Sequence, residues 1–72
     1  MPRLPILTPL KAIRALEHAG FIFVRQHGSH RIYVRGDKGV VIPFHNNDLR
    51  KGTLKHIIQQ SGLSLEEFLK LL

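Results

Sequence analysis

The stretch FIFVRQHGSHRIYVR, residues 21–35, decides the fold. Its first six residues are mainly β-branched or aromatic, as is typical of β-strands. The letters HGS that follow are a turn signal, and the six residues from His30 to Arg35 alternate between apolar and polar side chains. These features predict two antiparallel strands, residues 21–26 and 30–35, joined as a hairpin.

The alternation in the second of these strands also predicts which of its side chains face the core. Ile32 and Val34 are in phase with His30, and we expect these positions to point towards the protein interior. The intervening side chains would then form a wet, basic face of the hairpin; they are Arg31, Tyr33 and Arg35.

A third strand follows the hairpin. The turn residues Gly-Asp-Lys-Gly at 36–39 separate it from the second strand, and residues 40–44 read Val-Val-Ile-Pro-Phe. Pro43 has no N–H group to donate to a strand ladder, so it marks a sheet edge or a strand end. The sequence therefore predicts a three-stranded antiparallel sheet.

Helix signals flank the sheet on both sides. Before it, Thr8-Pro9 starts a helix with an N-cap hydroxyl and a proline in the first turn, and Gly20 ends that helix. After it, we expect a second helix over residues 51–61, ended by Gly62, and a Ser64-Leu65-Glu66-Glu67 capping box that starts a short third helix. The predicted apolar stripe of the first helix comprises Leu10, Ala12, Ile13, Ala15, Leu16 and Ala19.

This order of elements predicts an α+β fold, a two-layer sandwich with the helices on one face of the sheet and the other face open. The order α-β-β-β-α is also that of a double-stranded RNA-binding domain. Seventy-two residues leave room for a single core. We expect residues 8–72 to form this one domain and the proline-rich residues 1–7 to be a loose N-terminal segment.

Charge and composition limit the function. Eleven Lys and Arg residues against five Asp and Glu give a net charge of +6, which favours a polyanionic partner such as nucleic acid. The chain has no cysteine, so a disulfide framework, a thiolate zinc site and thiol redox chemistry are excluded. No apolar stretch approaches the roughly 20 residues of a membrane span, and the N-terminus lacks the apolar run of a signal peptide. We therefore expect a cytoplasmic protein.

Five histidines are candidates for proton transfer, since imidazole exchanges protons near neutral pH. Two of them flank Gly28-Ser29 in the predicted turn. On the residues alone, His30 is either a half-buried strand residue or a catalytic group. Because His27 and His30 are three apart in a β context, we expect their side chains on opposite faces. With the carboxylates scattered as well, neither a zinc site nor two-metal chemistry is expected.

Basic side chains suited to phosphate contacts occur in several elements. The segment Lys51-Gly52-Thr53-Leu54-Lys55 starts the second helix, where free backbone N–H groups and the helix dipole attract phosphate. The alternative interpretation is a plain N-cap with solvated lysines. The predicted RNA contacts are Lys11, Arg14, Arg25, Arg31, Lys51 and Lys55.

Several motifs follow one another in a distinctive order over residues 8–72. They are Gly20-Phe21, Arg25-Gln26-His27-Gly28-Ser29-His30, Pro43-Phe44-His45, Lys51-Gly52-Thr53-Leu54, and Gly62-Leu63 leading into Ser64-Leu65-Glu66-Glu67-Phe68. In order and spacing the sequence resembles the HicA family of toxin ribonucleases, also called YcfA-like proteins. The resemblance covers nearly the whole chain, and its most specific part is Gly-Ser-His followed by Pro-x-His and then by Gly-Thr-Leu.

The resemblance implies an RNA-binding-domain-like fold, cleavage of messenger RNA in a bacterial or archaeal cytoplasm, and a HicB-type antitoxin that binds and blocks the toxin. The family's catalytic histidine falls on His30. Gly28 and Ser29 belong to the same motif and would form the active-site loop. His27 departs from the family pattern, in which Lys or Arg is frequent at this position.

Residues and resemblance together predict a toxin endoribonuclease that works without a metal ion or another cofactor. His30 would be the general base that activates the ribose 2′-hydroxyl, and His45 or His27 would protonate the leaving 5′-oxygen. Lys51 and nearby arginines would stabilise the charge that develops on the phosphate. Two alternatives stay open: a non-catalytic RNA-binding module of the same fold, and a protein-interaction module whose basic face binds an acidic partner.

Overall fold

The computed structural model describes residues 3–72, and their helices and strands follow the predicted order. The elements are α1 (Pro9–His18), β1 (Ile22–His27), β2 (His30–Arg35), β3 (Lys38–Pro43), α2 (Lys51–Ser61) and α3 (Leu65–Lys70). The strands form one antiparallel sheet in the order β1-β2-β3. The α-β-β-β-α pattern of an α+β fold with an added third helix is thereby confirmed. In the part of the chain that the structure describes, no helix has the length and apolar character needed to cross a membrane.

Strand boundaries differ from the prediction by one or two residues. β1 begins one residue late because Phe21 is bound back to α1: its N–H donates to the Leu16 carbonyl at 3.0 Å, and its ring is buried. β3 begins two residues early because the turn that precedes it has only two residues, Gly36 and Asp37. Pro43 is the last residue of β3, which lies at a sheet edge, so its predicted place at an edge or strand end is confirmed.

The helix ends follow the sequence signals. At the start of α1, the Thr8 hydroxyl accepts the Lys11 N–H at 3.3 Å. At the end of α2, Gly62 has a left-handed φ of 76°, which glycine adopts without a steric penalty. At the start of α3, the Ser64 hydroxyl accepts the Glu67 N–H at 3.1 Å, and the Ser64 N–H donates to the Glu67 carboxylate at 2.9 Å.

One residue of the predicted α1 stripe lies outside the core. Leu10 is 46% exposed, because at 3.6 residues per turn it lies about 120° around the helix from Leu16. Ala19, just after the helix, is only half-buried. The buried residues of α1 are Pro9, Ala12, Ile13, Ala15 and Leu16.

The face of the sheet that was predicted to be wet instead packs against the helices. Tyr33 is only 3% exposed, whereas Ile32 and Val34 are partly buried on the open face. The register explains this reversal: Tyr33 pairs with Val40, and both Val40 and Ile42 of β3 are fully buried beneath the helices. The predicted orientation of β2 was therefore wrong.

Arg31 and Arg35, predicted on the wet face, instead border the core on the helix side of the sheet. The guanidinium carbon of Arg31 lies 3.7 Å from the centroid of the Phe44 ring, a cation–π contact. Arg35 lies 5.2 Å from the centroid of the Phe21 ring, and its guanidinium donates to the Ala19 carbonyl at 2.7 Å. The guanidinium groups of both arginines thus lie over aromatic rings and also donate hydrogen bonds, Arg31 to Gln26 and Arg35 to Ala19.

The core extends into the segment that was expected to be loose. Leu7 is buried, and its carbonyl accepts the Leu49 N–H at 2.7 Å, so this segment is fixed at its C-terminal end. Met1 and Pro2 of the same segment lie outside the described residues. The apolar core comprises Leu7, Ala12, Ile13, Ala15, Leu16, Phe21, Tyr33, Val40, Ile42, Leu49, Leu54, Ile57, Ile58 and Phe68.

The capping box of α3 predicts a pH-dependent contribution to stability. The backbone N–H of Ser64, and next its side chain, hold the pKa of Glu67 below its usual value by hydrogen bonding to the carboxylate. A carboxyl group whose pKa is lower in the folded chain than in the unfolded chain stabilises the fold. This stabilisation is fully present when the pH is above the unfolded-state pKa, and it is lost as the pH falls through the folded-state pKa. Because an ordinary Glu titrates near about 4.3, the loss should begin as the pH falls below about 5 and should be complete below the lowered pKa of Glu67.

We therefore expect the free energy of unfolding to decrease less over this pH range in Glu67→Gln than in the wild type. Urea titrations at several pH values measure this difference, since the glutamine keeps an acceptor for the Ser64 N–H but does not titrate. Equal decreases in the two proteins would contradict the contribution of Glu67.

Candidate active site

The loop between β1 and β2 is a tight hairpin turn. His27 pairs with His30, so Gly28 and Ser29 are its only two loop residues. Gly28 has a φ of 61°, and a glycine of positive φ at the first loop position is the pattern of a type II′ turn. The Ser29 carbonyl accepts the Phe44 N–H at 2.6 Å, which holds the loop beside the chain that leaves β3.

Side chains on the helix side of the sheet support this loop. The amide of Gln26 donates to the Gly28 carbonyl at 3.0 Å, and its oxygen accepts the Arg31 Nε–H at 3.3 Å. The Arg31 guanidinium in turn stacks on Phe44. Arg31 was predicted as an RNA contact, and the structure shows it engaged in this support of the loop.

His27 and His30 lie on the same face of the sheet, and the expectation of opposite faces was wrong. The two residues form a cross-strand pair, and directly opposite residues of antiparallel strands point to the same side. The expectation treated residues 27–30 as one continuous strand, whereas the chain reverses between the two histidines. His30 is exposed, on the open face that it shares with Ile32.

A cavity of about 640 Å³ opens beside His30, between the edge of β3 and α2. Its walls come from the start of β2, the end of β3, the loop that follows β3, and one face of α2. The lining includes three imidazoles, a carboxylate, a guanidinium and a hydroxyl, which belong to His30, His45, His56, Asp48, Arg50 and Thr53.

A hydrogen bond holds α2 against the exposed edge of β3. The Val41 N–H, which points outwards from the sheet, donates to the Gln60 side-chain oxygen at 3.2 Å. Pro43, two residues further along the same edge, has no N–H and so leaves no unpaired donor at the cavity wall. On α2, Thr53, His56 and Gln60 are three and four residues apart, a spacing that places them on one helix face.

His45, one of the two predicted second proton carriers, has one ring nitrogen engaged. The Asn47 N–H donates to its Nδ1 at 3.2 Å. A ring nitrogen that accepts a hydrogen bond cannot donate one, so Nε2 is the ring nitrogen that His45 has left for another partner.

The remaining predicted site residues do not line this cavity. Lys51 and Lys55 line a separate hollow on another side of α2, and Lys11 and Arg14 line a third one beside α1. Arg25 is exposed on β1. His27, like these basic residues, lies outside the cavity lining, although it is the direct neighbour of His30 across the turn.

Sequence reasoning missed His56 and Asp48, and it did not single out Arg50 among the arginines expected near α2. The polar residues at 53, 56 and 60 form a stripe beside the apolar one of α2, which is a signal that the sequence contains. That stripe does not reveal what it faces, because the packing of α2 on β3 decides this. The described residues contain no group of three or more His, Cys, Asp or Glu placed to hold a metal ion.

Residues 11–63, well over half of the chain, match the family described as the HicA toxin of bacterial toxin–antitoxin. The fold and the histidine-lined cavity therefore occur in a toxin of the toxin–antitoxin class. The chain belongs to the HicA toxin family, whose members are generally ribonucleases, and the resemblance found in the sequence is confirmed. Comparison with curated proteins gives no match.

Two glycines offer a matched test of how the turn positions His30. Gly28 and Gly36 each open a two-residue hairpin loop with φ near 60°, and an added Cβ would meet no atom within 4 Å at either position. We expect Gly28→Ala and Gly36→Ala each to destabilise the fold by about 1 kcal/mol through backbone strain alone. Only Gly28→Ala should shift the imidazole NMR signals of His30. Similar shifts in both variants would show that Gly28 has no specific part in placing His30.

Proposed function

We propose that this chain is a toxin endoribonuclease that binds and cuts messenger RNA in the cytoplasm, with His30 as its catalytic histidine. The observation that carries the proposal is the cavity that His30 lines together with two further imidazoles and Arg50. Imidazoles transfer protons near neutral pH, and a guanidinium binds the oxygens of a phosphate. Such a set of groups fits one phosphodiester linkage of an RNA strand.

The charge of the chain supports RNA as the substrate. A net charge of +6 on 72 residues attracts polyanions. Arg50 also forms the N-cap of α2 and makes no side-chain capping hydrogen bond within the described residues, so the first N–H groups of this helix stay available to phosphate. Basic residues outside the cavity would contact the phosphates of a longer strand; these are Lys11, Arg14, Arg25, Lys51 and Lys55.

The proposed reaction uses the substrate's own 2′-hydroxyl as the nucleophile. The His30 imidazole takes the proton of that hydroxyl, and the 2′-oxygen attacks the adjacent phosphorus. The bond from phosphorus to the 5′-oxygen breaks, and the products are a 2′,3′-cyclic phosphate and a 5′-hydroxyl. The Arg50 guanidinium stabilises the charge that builds up on the phosphate oxygens. This scheme uses side chains of the chain itself and no metal ion or other cofactor.

Replacing the proposed catalytic residue is the direct test. We expect His30→Ala to slow RNA cleavage by about 10²-fold to 10⁴-fold or more, since it removes the general base. Because His30 is exposed, the fold should persist, and because RNA affinity comes mainly from Lys and Arg, binding should persist as well. Cleavage of labelled RNA and fluorescence anisotropy measure the two effects.

The matched control is His18→Gln. It removes an imidazole of α1 outside the cavity and keeps an N–H donor for the Leu71 carbonyl, which His18 Nδ1 contacts at 2.9 Å. Cleavage by a folded His30→Ala protein would contradict the catalytic assignment. RNA that stays intact with the wild type would indicate a non-catalytic RNA-binding module. No RNA affinity even at low salt would indicate a protein-interaction module.

The products and the substrate requirements test the proposed chemistry. An RNA with a single 2′-deoxy nucleotide on the 5′ side of the scissile phosphate should resist cleavage there, because the nucleophile is missing. Cleavage of ordinary RNA should continue in excess chelator, and mass spectrometry should find 2′,3′-cyclic phosphate and 5′-hydroxyl ends. A 5′-phosphate product, or cleavage that depends on added divalent metal, would indicate an activated water instead.

Toxins of this family act with an antitoxin partner. We propose a HicB-type antitoxin that neutralises this chain by covering the cavity. Carboxylates on such a partner would complement Arg50 and the net charge of +6, in place of the RNA phosphates that they mimic. Blocking RNA access to His30 would then be sufficient for inhibition.

A further inference from the structure

Of the three imidazoles that line the cavity, the proposed reaction has so far used only that of His30. General base catalysis by His30 leaves the departing 5′-oxygen in need of a proton, because an alkoxide is a poor leaving group. Sequence reasoning offered His45 and His27 for this second role. The structure adds His56, which lines the same cavity. His56 belongs to α2 and His30 to β2, and these two elements lie on opposite sides of β3.

His27 is poorly placed for this role. It pairs with His30 across the hairpin turn and projects from the same face of the sheet, but it does not line the cavity. In an in-line displacement the attacking 2′-oxygen and the leaving 5′-oxygen stand on opposite sides of the phosphorus. The base and the acid therefore need to approach from different sides, and two neighbours on one sheet face approach from the same side.

His45 lines the cavity, but its Nδ1 already accepts a hydrogen bond. The Asn47 N–H occupies Nδ1 at 3.2 Å, so a second proton on the ring would break this bond. In its neutral form His45 can donate an Nε2–H hydrogen bond to a phosphate oxygen. This arrangement suits the binding of a phosphate better than the release of a proton.

His56 approaches the cavity from α2, with its position fixed by the rest of the helix. One turn further along, Gln60 binds the Val41 N–H, and one turn before it lies Thr53, so this face of α2 is held against the edge of β3. His30 approaches from β2, on the far side of β3 from α2. The two imidazoles thus belong to elements that flank β3 on its two sides, β2 and α2, and both line one cavity.

From this geometry we infer that His56 is the general acid of the reaction, an inference that rests on the proposed function. As an imidazolium, His56 gives its proton to the 5′-oxygen while the bond between phosphorus and that oxygen breaks and its electron pair passes to the oxygen. At the same time the new bond from the 2′-oxygen to phosphorus forms, and His30 receives the 2′-hydroxyl proton. Exchange of one proton with water at each ring then restores both histidines.

A substrate with a better leaving group tests this role. The probe is an RNA oligonucleotide that the wild type cuts at a mapped position, compared with an analogue in which sulfur replaces the 5′-oxygen there. A thiolate leaves without protonation, so the analogue does not need a general acid. We expect His56→Ala to slow cleavage of the oxygen substrate by about 10²-fold to 10⁴-fold and cleavage of the sulfur substrate by less than about 10-fold.

His30→Ala and His45→Ala are the matched controls. His30→Ala removes the general base and should slow cleavage of both substrates by the same factor. His45→Ala removes a phosphate-binding group and should also slow cleavage of both substrates by the same factor. His56 is exposed on α2, so thermal unfolding should show the alanine variant to be folded.

The inference is overturned if His56→Ala cuts both substrates at the wild-type rate or is slowed equally on both. It is also overturned if only His45→Ala or His27→Ala is rescued by sulfur. These results leave the proposed function intact, as long as cleavage still depends on His30. Cleavage that is absent in the wild type, or independent of His30, overturns the proposed function together with this inference.

Discussion

The pairing of β2 with β3 is the constraint on which the rest of the structure depends. Its register places Tyr33 opposite Val40 and His30 opposite Pro43. A shift by one residue would turn every side chain of one strand to the other face of the sheet, so the buried Val40 and Ile42 would lose their contacts with the helices. The register that buries the core is therefore the same one that exposes His30 beside the cavity.

A chain of 72 residues has little apolar surface to bury, and this one extends its core with charged side chains. The guanidinium groups of Arg31 and Arg35 lie over aromatic rings and donate hydrogen bonds to a side-chain oxygen and a backbone carbonyl. Part of the positive charge of this chain thus serves the fold. Through Gln26, Arg31 also links the edge of the core to the Gly28-Ser29 loop, so packing on one face of the sheet stabilises the site on the other.

The site is assembled from segments that lie far apart in the sequence. His30 comes from the start of β2, Arg50 from the end of the loop after β3, and His56 from the middle of α2. The hydrogen bond between Val41 and Gln60 and the one between Ser29 and Phe44 hold these segments together. The proposed RNA cleavage would benefit from this construction, because its proton donor and acceptor would need to stand on opposite sides of the reacting phosphorus.

The sequence by itself determined the order of the elements, the helix ends and the position of the Gly-Ser-His turn. These features depend on residues within a few positions of one another, as in the capping box from Ser64 to Glu67 and the positive φ of Gly28. Motif order also identified the family and pointed to His30. Even so, the alternation of side chains in β2 predicted the wrong buried face. The residues that pack against Tyr33 and the two arginines come from other elements, which the local pattern does not include.

Only the tertiary structure decided which polar residues share the cavity with His30. The polar stripe of α2 is visible in the sequence, but what it faces depends on how α2 packs against the edge of β3. The same packing leaves Lys51 and Lys55 on another side of the helix and brings His56 into the cavity. Local propensity cannot specify this, because the energy that docks α2 comes from burying Leu54, Ile57 and Ile58 against residues distant in the chain.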